Sequence, residues 1–159
     1  MYRFNGFTEK ANNALNLAIE SAENMGHTYI GSEHIILGLL KEGSGVAATV
    51  LGKLQITAEQ MENLMIQKIG SGAQTSLTAD DFTPRSKRIL QIAVMEAARL
   101  GHNYVGTEHL LMAVLAEGDS YGVRFLNALG AKQSDIVAEI NAALSSGEEA
   151  GGQPGSPNI

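Results

Sequence analysis

The chain has 159 residues, an apolar fraction of 44%, a formal charge of -6 and no cysteine. That size suits one domain or two intimate halves, and the missing cysteines exclude a disulfide framework and any thiolate metal site. The acidic balance argues against general nucleic-acid binding, which relies on clustered Lys and Arg. No apolar run approaches a membrane span and the first residues lack a signal-peptide apolar region, so a cytoplasmic protein with no membrane partner is expected.

In chain order, Thr8 stands where an N-cap belongs, and Leu15, Ala18, Ile19, Ala22 and Met25 follow at helical spacing. A helix over about 8–25 is predicted, stopped by Gly26 in the left-handed conformation. Ser32 is expected to cap a second helix to residue 42. The run Ile35, Ile36, Leu37, Leu39 and Leu40 marks it as buried, and Glu33 lies in its first turn, where a carboxylate suits the helix dipole. A short helix is predicted over 46–53. A fourth follows over 57–69, where Thr57 and Gln60 form a capping box.

The pattern then recurs. Gly26-His27-Thr28-Tyr29-Ile30-Gly31-Ser32-Glu33-His34 returns as Gly101-His102-Asn103-Tyr104-Val105-Gly106-Thr107-Glu108-His109. At an offset of 75, residues 7–72 match 82–147 at 18 of 66 positions. Helices are expected over 83–100, capped by Thr83 with Pro84 at the first position, then 107–117, 121–128 and 133–144. Lys132 replaces Thr57, so the last cap is weaker. The expected fold is all-α: eight helices in two four-helix repeats related by a pseudo-twofold axis. The repeats are assigned to 1–72 and 82–146, joined by a connector at 73–81. The Gly-, Ser-, Glu- and Pro-rich tail 147–159 is expected to be flexible.

Catalytic motifs are sparse. No phosphate-cradling Gly-rich loop and no His-Glu-x-x-His occurs. The Glu-His pairs at 33–34 and 108–109 are adjacent, so on a helix they diverge by about 100° and do not readily chelate one ion. No metal, cofactor or catalytic residue is expected. His27, His34, His102 and His109 are read as hydrogen-bonded structural residues, and Tyr29 and Tyr104 as packed aromatics.

Glu33 and Glu108 have two readings. Each is either a carboxylate supporting its own helix start or one that accepts a guanidinium fork. The basic group Arg85, Lys87 and Arg88 is either a solvated face or, beside the helix start at Thr83, an anion site. A helix of about 17 residues is roughly 26 Å long, which separates Glu33 from Thr8 within one repeat. Pseudo-twofold packing predicts crossed pairs instead: Thr83 and Lys87 near Glu33, and Thr8 near Glu108.

The paired Gly-His-x-Tyr-x-Gly-Ser/Thr-Glu-His segments, each about 18 residues after a Phe-Thr helix start, closely resemble the double Clp repeat. That repeat forms the N-terminal domain of Hsp100/Clp AAA+ unfoldases, and the resemblance is strongest to ClpC, from about Phe4 to Leu144. It implies a domain that receives adaptor proteins and protein substrates for unfolding and for a ClpP-type protease. ATP and magnesium would belong to AAA+ modules outside this chain, and the fragment is expected to be monomeric. The resemblance also implies phosphoarginine recognition, with Glu33 and Glu108 holding the guanidinium and Thr8, Thr83 and Lys87 holding the phosphate. Two departures stand out. Asn12 occupies the position of Lys87 in the first copy, where Lys10 is a substitute, and Asp119-Ser120-Tyr121-Gly122 replaces the run seen in the first copy as Gly43-Ser44-Gly45-Val46-Ala47, so that Tyr121 and Phe125 are expected to alter an adaptor-binding face. The alternatives are a free-standing Clp-repeat accessory or adaptor protein, and a small helical enzyme built on the His/Glu pairs.

Overall fold

The computed structural model describes residues 1–146; the tail at 147–159 lies outside the described residues. The eight helices are α1 (Glu9–Asn24), α2 (Ser32–Glu42), α3 (Val46–Lys53), α4 (Ala58–Ile69), α5 (Pro84–Arg99), α6 (Thr107–Glu117), α7 (Tyr121–Ala128) and α8 (Gln133–Ser145). A single 3-10 turn, Ala79–Asp81, sits at the end of the connector, where Thr78 Oγ1 accepts the Asp80 N–H. Among the described residues there is no named strand and no single helix long and apolar enough to cross a membrane.

The local rules work where the cap faces its own helix. Thr8 Oγ1 accepts the Ala11 N–H and Thr83 Oγ1 accepts the Ser86 N–H, both at 3.0 Å. Thr57 and Gln60 exchange reciprocal bonds at the start of α4, while Lys132 gives α8 no side-chain cap. Gly26 and Gly101 leave their helices at φ of 79° and 75°, the region a side chain disfavours.

Within each repeat the long first helix packs along the buried second one, α1 on α2 and α5 on α6. At Gly38 the approach of α1 is so close that a Cβ would lie 2.2 Å from the Ala14 carbonyl oxygen. Every residue of α2 from Ser32 to Leu39 is buried, so this helix forms the spine of the first repeat. Across the boundary α2 meets α7 and α3 meets α6, the exchange that a pseudo-twofold axis requires.

The two caps expected from Ser32 and Thr107 are different from the prediction. Gly31 and Gly106 are the N-caps of α2 and α6, and the hydroxyls serve the opposite repeat. Ser32 Oγ accepts the Gly122 N–H of α7 at 2.8 Å, and Thr107 Oγ1 accepts the Ala47 N–H of α3 at 3.1 Å. The physical reason is that the N–H groups these hydroxyls would have capped are already taken: His34 and Ile35 donate to the Gly31 carbonyl, and His109 and Leu110 to the Gly106 carbonyl. The hydroxyls are thereby released to fill orphan donors across the interface.

Candidate functional site

The two repeats are stitched at two isolated parallel bridges. Ile30 N–H donates to the Asp81 carbonyl and Thr83 N–H to the Ile30 carbonyl, both at 3.0 Å. In the second junction Val105 N–H donates to Gly6 O at 2.9 Å and Thr8 N–H to Val105 O at 2.8 Å. Each long helix therefore begins against the loop of the other repeat, three residues before the other repeat's glutamate.

At the first junction this crossing encloses a cleft of about 430 Å³. Its walls include Tyr29, Glu33, Thr83, Arg85, Tyr121 and Arg124, drawn from both repeats. Glu33 and Thr83 are thus brought together. Lys87, one turn further along α5, is exposed and outside the cleft lining; Arg85 takes the basic position there instead. Asn12, at the position matching Lys87, is buried. Its side-chain amide binds the Phe4 N–H and faces the carbonyls of Phe4, Phe7 and Thr8. It anchors the N-terminal segment rather than presenting charge. Lys10 reaches the Ser44 carbonyl at 3.3 Å.

Glu33 is only 2% exposed, and burial pushes its carboxyl upward from the ordinary range. Tyr29 donates its phenol to Glu33 Oε2 at 3.0 Å. Burial, and next the Glu33 charge, push that phenol up as well. Gly31 lies so close to the carboxylate that a Cβ there would fall 2.6 Å from Oε1. A desolvated carboxylate at the wall of a cleft suits a strong cationic donor.

The rim is charged but paired. Arg124 forks onto Asp119 at 3.0 and 2.9 Å, which holds the Asp119 carboxyl low. Arg85 reaches Glu117 at 3.4 Å and the Asp119 carbonyl. Motif reading missed Arg124 and Tyr29 as lining residues. The signals were the invariant tyrosine of the duplicated segment and the three-residue helical spacing of Arg124 from Tyr121.

Behind the cleft lies a histidine relay whose protons are fixed by backbone chemistry. The Gly31 N–H can only donate, so His34 Nδ1 accepts at 2.9 Å and its proton sits on Nε2. That proton faces His27 Nδ1 at 2.8 Å, and His27 Nε2–H then donates to the Gly70 carbonyl at 2.8 Å. Burial, and next His27, lower His34 to about 3. The second repeat repeats the pattern, with Gly106 N–H on His109 Nδ1 at 2.8 Å and His109 Nε2 to His102 Nδ1 at 2.7 Å. Burial, and next His102, lower His109 to about 4.

In that second relay, ligand atoms of His102, Glu108 and His109 lie within 4.8 Å of one another. The adjacent Glu108 and His109 bring ligand atoms within that distance although they leave the helix about 100° apart, and His102 joins them from the loop. The set is still a poor metal centre. A neutral His109 bound to an ion through Nε2 carries its proton on Nδ1, where the Gly106 N–H already points.

The family model described as the Clp repeat N-terminal domain matches residues 6–129 and 81–159. An ATP-dependent Clp protease ATP-binding subunit ClpA homolog of Porphyra purpurea is 42% identical over 147 residues, 92% of this chain. The negative regulator of genetic competence ClpC/MecB of Bacillus subtilis is 41% identical over 145 residues, 91% of this chain. The chain spans only 18% of the length of each relative. Among solved structures, the N-terminal domain of the chaperone ClpD from Arabidopsis thaliana superposes with a TM-score of 0.75 at 22% identity, covering 89% of this chain and 99% of that one. A complex of the ClpV N-domain with a VipB peptide gives 0.64 at 17% identity, covering 87% and 86%. The duplicated helical fold, the family match and these relatives agree: the chain belongs to the Clp repeat N-terminal domain family, and its relatives are ClpC- and ClpA-type chaperone subunits.

Proposed function

We propose that this domain receives adaptor proteins and protein substrates for an ATP-dependent unfoldase, and that its two junctions bind phosphoarginine side chains. ATP hydrolysis, with its magnesium, and engagement of a ClpP-type protease belong to the parts of such a machine outside this chain. The domain itself acts by binding rather than by catalysis.

The observation that carries the reading is the meeting of Glu33 with the start of α5 in one cleft. Phosphoarginine joins a planar guanidinium to a dianionic phosphate. The Glu33 carboxylate accepts the guanidinium fork, and pairing offsets the desolvation that raises its pKa. The phosphate lies toward the N-terminus of α5, where Thr83, Arg85 and the helix dipole favour an anion. Lys87, exposed one turn on and outside the cleft lining, adds to the positive field at this helix start rather than a direct contact. Glu108 and Thr8 act the same way at the second junction. The ClpV N-domain solved with a VipB peptide is a structural neighbour that binds a partner segment, which is compatible with a peptide-receiving role here.

The test is calorimetric titration of an arginine-phosphorylated peptide into the wild-type domain and the Glu33→Ala, Glu108→Ala double variant. Binding near two per chain, lost in the variant and absent for the unmodified peptide, is expected. Absence of binding to the wild-type domain would return both glutamates to a structural role.

A further inference from the structure

The pseudo-twofold axis gives the two junctions the same backbone but different walls. Gly122 N–H reaches Ser32 Oγ at 2.8 Å, so Tyr121 and Glu33 flank one direct contact between α7 and α2. The counterpart contact, Ala47 N–H on Thr107 Oγ1 at 3.1 Å, places Val46 beside Glu108 in the same way. Tyr121 is 53% exposed and lines the cleft, whereas Val46 is 6% exposed. The Tyr121 ring lies parallel to that of buried Phe125, with centroids 5.7 Å apart and planes 5° apart, so its plane is set before any ligand arrives. Tyr29 lines the same cleft, is stacked on His27 at 5.8 Å and 6°, and feels the Tyr121 phenol electrostatically.

From this asymmetry we infer that Tyr121 is a specificity-determining residue of the Glu33 cleft, an aromatic wall against which a planar guanidinium stacks while Glu33 takes its N–H groups. The inference rests on the phosphoarginine reading. Arginine is the side chain that gains most from such a wall, because a flat delocalised cation stacks on an aromatic face while its edge makes a fork. The carboxylate supplies the edge partner, Tyr121 the face, and the start of α5 the place for the phosphate. At the Glu108 junction a small, buried valine offers no such face. The two junctions are therefore unequal, and the Glu33 cleft is the tighter one.

Calorimetry with an arginine-phosphorylated peptide tests this in two backgrounds that isolate one junction each. In Glu108→Ala, Tyr121→Val weakens binding by about 2- to 5-fold, the size of a partly exposed cation–π contact, and Tyr121→Phe restores it. In Glu33→Ala, Tyr121→Val leaves the remaining affinity unchanged. Equal affinity of the Val variant and its Glu108→Ala parent overturns the inference and leaves the phosphoarginine reading standing. So does an equal drop for Val and Phe, which would assign the effect to the hydroxyl, or an equal drop at both junctions, which would assign it to the fold. No binding of the peptide to the wild-type domain overturns the phosphoarginine reading and the inference with it, whereas wild-type binding that is lost in the Glu108→Ala parent overturns the inference alone.

Discussion

Ser32 Oγ and the Gly122 N–H meet at 2.8 Å across 90 positions of sequence. A hydroxyl that begins one buried helix thereby caps the first turn of a helix in the other repeat, and Thr107 does the same for Ala47. These two bonds, with the paired backbone bridges, hold the repeats in the register that forms the cleft.

Removing either hydroxyl leaves a buried helix-start N–H without its partner. Ser32→Ala and Thr107→Val should each cost about 1–2 kcal/mol, measured as a lowered urea midpoint with the slope unchanged. If both variants unfold at the wild-type midpoint, the crossed caps carry no stability.

Glu33 is a charge held out of water. A carboxyl with a raised folded pKa makes the folded state the better proton binder, so its contribution falls as pH rises from the unfolded carboxylate value through the folded one. Above the folded value that cost is present in full. Glu33→Gln keeps an acceptor for the Tyr29 phenol and removes the charge. It should raise stability by about 0.5–2 kcal/mol at pH 7 while abolishing phosphoarginine binding at that cleft. Chemical denaturation at pH 7, read beside calorimetry, checks both halves.

The histidine relays act with the opposite sign. His34 and His109 are lowered to about 3 and about 4, so between those values and about 6.5 the unfolded chain binds the extra protons. Their contribution is complete above about 6.5 and is lost as pH falls. Stability should decline between about pH 6.5 and 4, with a slope of up to about 1.4 kcal/mol per pH unit per histidine. A flat profile of urea midpoint across that window would remove the relays from the acid response.

Gly38 and Gly52 form a matched pair. A Cβ at Gly38 would meet the Ala14 carbonyl at 2.2 Å, and one at Gly52 meets nothing within 4 Å. Gly38→Ala should destabilise by about 3 kcal/mol or more by forcing α1 off α2. Gly52→Ala, in the body of α3, should stabilise by about 0.4–1 kcal/mol. Thermal unfolding of the two variants gives the comparison.

Much of the fold was legible along the chain because its causes are local. Helical spacing, Thr8, Thr83 and Pro84 at helix starts, and the Thr57–Gln60 box act within a few residues. The observed helices fall within about a residue of the expected ones. The reading of Ser32 and Thr107 failed because a hydroxyl just before an acidic residue looks like its own helix cap. The nearer acceptors, the carbonyls of Gly31 and Gly106, had already taken that role. Spacing placed Arg85, Lys87 and Arg88 together at the start of α5, and only the direction of each side chain around the helix decides that Arg85 lines the cleft.

The duplication and the eight helices of the described residues were legible in the residue order, since periodicity, capping chemistry and repetition are properties of neighbouring residues. That Tyr29, Glu33, Thr83, Arg85, Tyr121 and Arg124 share one cleft is a result of packing. That grouping depends on how two buried faces settle against each other. Their burial leaves α-helix starts and loop carbonyls to be satisfied across the boundary, and the bonds that satisfy them set which side chains meet.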